Sequence, residues 1–152
     1  MRVIVAAIGR ERTGPLRALV DQYRARCLWP VEVVEVVARS AGPLERRLAE
    51  EGERLLKAAP EGAPIVALDG RGDLLDSEAL AARIAAWRDA GRSDLAFVIG
   101  GADGLAPAVL ERADLRLAFG RMTWPHQLVR VMLLEQLYRA SSILAGHPYH
   151  RA

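Results

Sequence analysis

Apolar residues in this chain follow two alternating rhythms: short solid runs, and longer stretches in which they recur every three or four positions. Solid runs rich in valine, isoleucine and leucine occupy residues 2–8, 31–37, 65–68, 95–99 and 115–119. Each is short and bounded by glycine, proline or a polar turn, which predicts buried strands. Glu32 and Glu35 interrupt the second run, and Asp69-Gly70-Arg71-Gly72 reads as a loop after the third. Between the runs the helical period takes over. Pro15 suits a helix start, and Leu16, Leu19, Val20, Tyr23 and Cys27 recur at helical spacing until Trp29-Pro30 breaks the pattern. Gly42-Pro43 opens a second helix, with Leu44, Leu48, Leu55 and Leu56 on its dry side and Glu45, Arg46, Arg47, Glu50, Glu51, Glu53 and Arg54 on its wet side. Asp76 or Ser77 caps a third that stops at Gly91. A short helix near residues 107–113 and a long one over residues 125–144 complete the set. Short buried strands alternating with amphipathic helices predict a three-layer α/β domain with a parallel sheet, spanning residues 1–152.

The last helix departs from the amphipathic pattern. Leu128, Val129, Val131, Met132, Leu133, Leu134, Leu137 and Tyr138 cover most of its circumference, which calls for burial on more than one side. A second subunit and the rest of the chain itself are both able to supply the cover.

Composition narrows the classes. No apolar run approaches the roughly 18 residues of a membrane span. The first eight residues are too short an apolar block for a secretory signal, so a cytoplasmic protein is expected. The single cysteine, Cys27, excludes an intrachain disulfide and a cysteine-rich zinc site. Lys57 is the only lysine, and none follows a glycine-rich loop, which removes a P-loop nucleotidase. A net charge of +2 is mild, but it is unevenly spread: five of the 21 basic residues, all three histidines and one of the 19 acids fall from Leu115 onward. Positive charge and titratable chemistry concentrate in the last quarter.

Three stretches carry candidate chemistry. Gly100-Gly101-x-x-Gly104 follows a strand; it makes either a tight turn or a place where a ligand approaches the backbone. It lacks the G-x-G-x-x-G dinucleotide fingerprint, and no acid closes the second strand to hold a ribose. Met122-Thr123-Trp124-Pro125-His126 puts a hydroxyl, a rigid turn and an imidazole at a strand-to-helix junction, where open α/β sheets place ligands. The tail His147-Pro148-Tyr149-His150-Arg151 packs an aromatic ring, imidazoles and a guanidinium where termini are usually featureless. The histidines lack metal-site spacing, so no metal is expected. Asp69 and Asp103 end strands, either as bases or as caps of the turns that follow.

The series Met-Thr-x-Pro-His-Gln-Leu-x-Arg (122–130), Glu135-Gln136-Leu137-Tyr138-Arg139-Ala140 and His147-Pro148-Tyr149-His150-Arg151 strongly resembles the RlmH (YbeA) family. The resemblance extends over the whole chain through Ile99-Gly100-Gly101-x-x-Gly104 and Gly52-Glu53. It implies a SPOUT-class methyltransferase that uses S-adenosyl-L-methionine to methylate N3 of a pseudouridine in the helix 69 loop of 23S rRNA, on the assembled 70S ribosome. It also implies a homodimer and a C-terminal trefoil knot, which ordinary topology rules disfavour. Carried over by position, Leu68, Gly100 and Gly101 line the cofactor pocket, and Phe119, Gly120, Arg121, Met122, Thr123, Trp124 and Pro125 wrap the adenine. Relatives often carry serine where this chain has Ala118 and Gly120. For the chemistry, His126 and His150 are the candidates to accept the imide proton, with Tyr149 shaping the base's surroundings and Arg151 stabilising the anion. Arg121, Arg130, Arg139 and Arg151 are the candidate RNA contacts, Arg139 alternatively a buried helix partner. The competing reading is a non-catalytic RNA- or ribosome-binding module on the same fold, told apart by whether the cofactor binds.

Overall fold

The solid apolar runs become strands and the spaced stretches become helices in a computed structural model that describes residues 1–37 and 41–151. Along the chain these are β1 (Arg2–Ile8), α1 (Pro15–Arg26), β2 (Val31–Val36), α2 (Leu44–Ala58), β3 (Ile65–Leu74), α3 (Ser77–Asp89), β4 (Asp94–Ile99), α4 (Pro107–Arg112), β5 (Leu115–Ala118) and α5 (His126–Ala145). The strands form one sheet in the order β2-β1-β4-β3-β5, and each pairing is parallel.

The crossovers explain how the helices divide between the faces. The steps β1 to β2 and β3 to β4 run in one direction across the sheet; their helices, α1 and α3, share a face with α5. The steps β2 to β3 and β4 to β5 run in the other direction, and α2 and α4 pack together on the opposite face. A right-handed crossover demands this linkage of direction and face.

Alternation along the strands builds the two cores. Val3, Val5 and Ala7 of β1 join Leu95, Phe97 and Ile99 of β4 beneath α1, α3 and α5. Ile4, Ala6 and Ile8, with Ala96 and Val98, face α2 and α4. On α5, Leu133, Leu134, Leu137 and Ala140 are fully buried by the chain itself, while Leu128 stays exposed. Its own fold therefore covers much of the unusually apolar helix.

Asp76 is the cap of α3: its Oδ1 accepts from the Ala79 amide at 2.7 Å, while the Ser77 hydroxyl donates to Gln136 at 2.7 Å. The third strand is longer than its apolar run. Leu68 and Asp73 both pair with Leu117, and Leu74 pairs with Ala118, so β3 resumes after a register shift. Residues 69–72 leave the ladder while both flanks remain bonded to β5, and Gly72 returns so close to β5 that a Cβ there would lie 2.6 Å from the Arg116 carbonyl carbon. That insertion stands at the C-terminal end of the sheet.

Candidate active site

The C-terminal ends of β3, β4 and β5 and the loops leaving them enclose a cleft of about 390 Å³. Small-molecule pockets span roughly 300–1,000 Å³. Leu68, Ile99, Leu117 and Phe119 give it apolar walls, and Asp69, Arg71, Arg121 and Thr123 bring polar groups to it. Gly100 and Gly101 form its floor beside β4. A Cβ on Gly100 would lie 2.5 Å from the Gly104 carbonyl oxygen, so the close turn there excludes any side chain. The glycine segment thus makes the tight turn and lines the cleft at the same time.

The β5–α5 loop closes the far side. The Trp124 indole donates to the Phe119 carbonyl at 3.2 Å, bridging residues 119–124. Gly120 has φ +115°, a conformation strained for any side chain, so glycine suits this loop. Phe119, Gly120, Arg121, Met122, Thr123 and Trp124 all line the cleft; Met122 is 76% exposed. Pro125 does not line it but caps α5, which places His126, the first residue of the helix, at the cleft wall.

The tail residues lie elsewhere. Tyr149 stacks on Tyr138 with centroids 4.2 Å apart, donates to Glu135 at 3.0 Å, and lies beneath the Arg139 guanidinium at 4.7 Å. Burial, and then the bond to the Glu135 carboxylate, push the Tyr149 phenol above its ordinary range. Arg139 also pairs with Glu135 and approaches Nδ1 of His150 at 3.1 Å. Guanidinium only donates, so Nδ1 accepts, and a neutral ring carries its proton on Nε2, 3.4 Å from Glu78. Tyr149, His150 and Arg151 are absent from the cleft lining, whereas His126 is part of it.

A family profile described as "Predicted SPOUT methyltransferase" matches residues 1–150. The chain belongs to the SPOUT methyltransferase family. Two proteins named "Ribosomal RNA large subunit methyltransferase H" are similar to it throughout. One, from Rhodospirillum centenum, is 60% identical over 100% of both chains, and one from Xanthobacter autotrophicus is 52% identical, again over 100% of both. Among solved structures, a probable methylase family protein from Haemophilus influenzae Rd KW20 shares the fold, with TM-score 0.59 at 11% identity over 99% of this chain and 70% of that one.

In this SPOUT methyltransferase Arg130 is not available to RNA. It is 2% exposed. Its Nη1 pairs with Glu35 at 2.8 Å and stands 3.8 Å from Glu11, while Nη2 donates to the Gly9 and Ile8 carbonyls at 3.1 and 3.3 Å. The expected phosphate contact is an internal staple that fixes the start of α5 to the exit of β1. Burial works against ionisation of Glu35, yet the Glu11 amide and Arg130 outweigh it and hold the carboxyl below the usual carboxylate range. Arg139 is likewise engaged within the fold, on Glu135 and Tyr149. Arg121 and Arg151 remain exposed.

Both strand-end acids have a partner close by. Asp69 accepts from the Arg71 amide at 3.3 Å, and Asp103 faces Arg47 at 3.8 Å. Asp69 does line the cleft, as does Arg71, which sequence reasoning passed over. The signal for Arg71 was its place between two glycines just past a strand. Among the described residues, no cluster of potential metal ligands occurs and no helix is long and apolar enough to cross a membrane.

Proposed function

We propose that this chain transfers the methyl group of S-adenosyl-L-methionine to N3 of a pseudouridine in the helix 69 loop of 23S rRNA, in the assembled 70S ribosome. The observation that carries this reading is the cleft at the ends of β3, β4 and β5, with His126 in its wall. Its lining suits that cofactor chemically: apolar walls for a flat base, the Asp69 carboxylate for an ammonium or ribose hydroxyls, and Arg71 or Arg121 for a carboxylate. Bound there, the cofactor supplies an electrophilic sulfonium methyl.

The chain's own residues would then orient the target and manage one proton. Fixing two reactants in line is worth up to roughly 7–11 kcal/mol. His126 takes the N3 proton as the new carbon–nitrogen bond forms, a role that contributes about 10²–10⁴-fold. His150, held between Arg139 and Glu78, reaches a cleft only from another position of the tail or from a second subunit. We infer a homodimer in which the tail of one subunit, with Tyr149, His150 and Arg151, completes the site of the other. Two features support a threaded connection. β5 ends at the sheet edge, and α5 packs against both α1 and α3, so the chain passes the β3–α3 segment to reach its place; the family resemblance implies a trefoil knot there.

Labelled methyl transfer from S-adenosyl-L-methionine to unmodified 70S ribosomes, free large subunits and naked 23S rRNA tests the reading. Incorporation on 70S alone, mapped to N3 of a pseudouridine, is the expected result. Cofactor binding without incorporation on any of the three would overturn the substrate. Mixed dimers carrying H126A on one subunit and H150A on the other test the exchange of tails; absence of any difference from the homodimeric variants counts against it.

A further inference from the structure

Most arginines of this chain are engaged within it. Arg2 pairs with Asp94, Arg17 with Asp21, Arg54 with Glu50 and Arg112 with Asp114, while Arg24, Arg92 and Arg116 donate to main-chain carbonyls. Among the described residues, the side chains of Arg10, Arg12, Arg46, Arg71 and Arg121 have no carboxylate, carbonyl or ring partner. All of them stand at one end of the molecule, at the exits of β1, β3 and β5 or in the first turn of α2. That is the end at which the cleft opens. Three further cations are equally unpartnered: Arg26 and Lys57, in or at the last turns of α1 and α2 at the opposite end, and Arg151 in the tail.

Arg10 and Arg12 differ from the others in how they are presented. Both are exposed, yet Glu11 between them is only 8% exposed. The loop is fastened from below at several points. The Gly9 amide donates to Val36 at 2.8 Å, Arg130 donates to the Gly9 carbonyl at 3.1 Å, and Arg17 donates to the Glu11 carbonyl at 3.2 Å. The Glu11 amide donates to Glu35, and the Glu11 carboxylate points at Arg130. The acid that would neutralise the loop is thus drawn into the fold, and two guanidiniums are left outward on a fastened segment. Because β1 pairs with β4 up to Ile99, that segment lies alongside the Gly100-Gly101 floor of the cleft.

We propose that the β1–α1 loop is a contact for the phosphate backbone of the RNA substrate, with Arg10 and Arg12 as its two cations and the Arg130–Glu35–Glu11 staple as the device that presents them. This rests on the reading of the chain as an rRNA methyltransferase. Guanidinium forks match phosphate oxygens, and presentation on a fixed loop lowers the ordering cost of each contact. Arg130, expected from sequence to touch RNA, acts from inside.

The test uses R10A/R12A in the full-length protein, with R26A/K57A as a control of equal charge change at the far end. Each is measured for affinity to ribosomal particles carrying the unmodified target over a range of salt. Two lost phosphate contacts lower the slope of log affinity against log salt by about 1.4–1.8. The expected result is that change for R10A/R12A alone, with a raised KM for ribosomes and an unaltered Kd for S-adenosyl-L-methionine. R10E/R12E should weaken ribosome binding further at low salt, with unchanged Tm. A wild-type slope and KM in R10A/R12A, or an equal change in R26A/K57A, overturns the proposal while the methyltransferase reading stands. Failure of the wild-type protein to bind or methylate any rRNA overturns both.

Discussion

Replacing Arg130 by methionine should destabilise this protein far more than it weakens any contact with RNA. The side chain is 2% exposed; it donates to one carboxylate and two carbonyls and lies 3.8 Å from a second carboxylate, Glu11, whose nearer oxygen has no hydrogen-bond partner. Methionine fills similar space but donates nothing. Glu35, whose side chain is 27% exposed, keeps the Glu11 amide and can turn to water. Glu11, at 6% side-chain exposure, has no such recourse, and the Ile8 and Gly9 carbonyls lose their donor. Removing one partner of a buried ion pair costs about 3–5 kcal/mol. For a chain of this size that lowers Tm by roughly 6–20 °C, at 2–4 °C per kcal/mol. Thermal and urea unfolding of R130M measure it directly. E11Q/R130M should recover a share of the loss, because the stranded buried charge is gone. R130K should fall between, since a single ammonium cannot serve Glu35 and both carbonyls together. A Tm for R130M within about 2 °C of the wild type, together with a reduced salt slope for ribosome binding, would refute this account and return Arg130 to the RNA surface.

Other perturbations separate into different readouts. G100A forces a Cβ to within 2.5 Å of the Gly104 carbonyl oxygen; overpacking of this kind costs about 1–3 kcal/mol. It should also lower S-adenosyl-L-methionine affinity in calorimetry, and unchanged Tm and affinity would contradict the cleft as described. H126A should bind the cofactor normally and slow single-turnover methyl transfer by about 10²–10⁴-fold; a wild-type rate removes His126 from the proton step. The Glu35 carboxyl titrates below its ordinary value of 4.5 in the fold. Its contribution to stability is therefore complete above that pH and drains away as pH falls through the lower folded value. E35Q should flatten this part of the acid limb, and parallel wild-type and E35Q profiles below pH 4.5 would show that Glu35 is not the group concerned. Burial pushes the Cys27 thiol above its ordinary range, so its reaction with a disulfide reagent at neutral pH should be slow until the protein unfolds.

The strands were legible because their runs are apolar and bounded by glycine or proline, and the Asp76 cap because an acid precedes a helical period. The extension of β3 was not, since residues 69–72 have turn composition and only the pairing of Asp73 and Leu74 with β5 shows the strand resuming. The cleft lining was readable from strand ends and from the resemblance. Arg130 was misread for a physical reason. An arginine near the start of a helix beside a candidate site looks like a phosphate contact, and its partner Glu35 lies 95 positions away. A trace of the truth was present: Glu35 breaks a valine-rich strand, and a carboxylate in such a strand needs a cation. The tail network was illegible because Tyr149, His150, Glu135, Arg139 and Glu78 converge only once α3, α5 and the terminus are assembled.

Helix α5 ties these parts together through the order of residues along it. Its first residue, His126, is in the cleft wall; one turn on, Arg130 grips the exit of β1; further along, Glu135 and Arg139 hold the tail. The helix between them is anchored by Leu133, Leu134 and Leu137, which are wholly buried. A close-packed helix transmits displacement instead of absorbing it. Lesions at its three polar heights should therefore differ in kind: loss of rate at His126, loss of stability at Arg130, and release of the tail at Arg139. Proteolysis of the last residues reports the third. R139M frees Tyr149 from its cation and His150 from its donor, so cleavage after Tyr149 should accelerate in R139M while Tm changes little. Equal cleavage rates in R139M and the wild type would mean that the Tyr138–Tyr149 stack and the contacts with Glu135 and Glu78 hold the tail without Arg139.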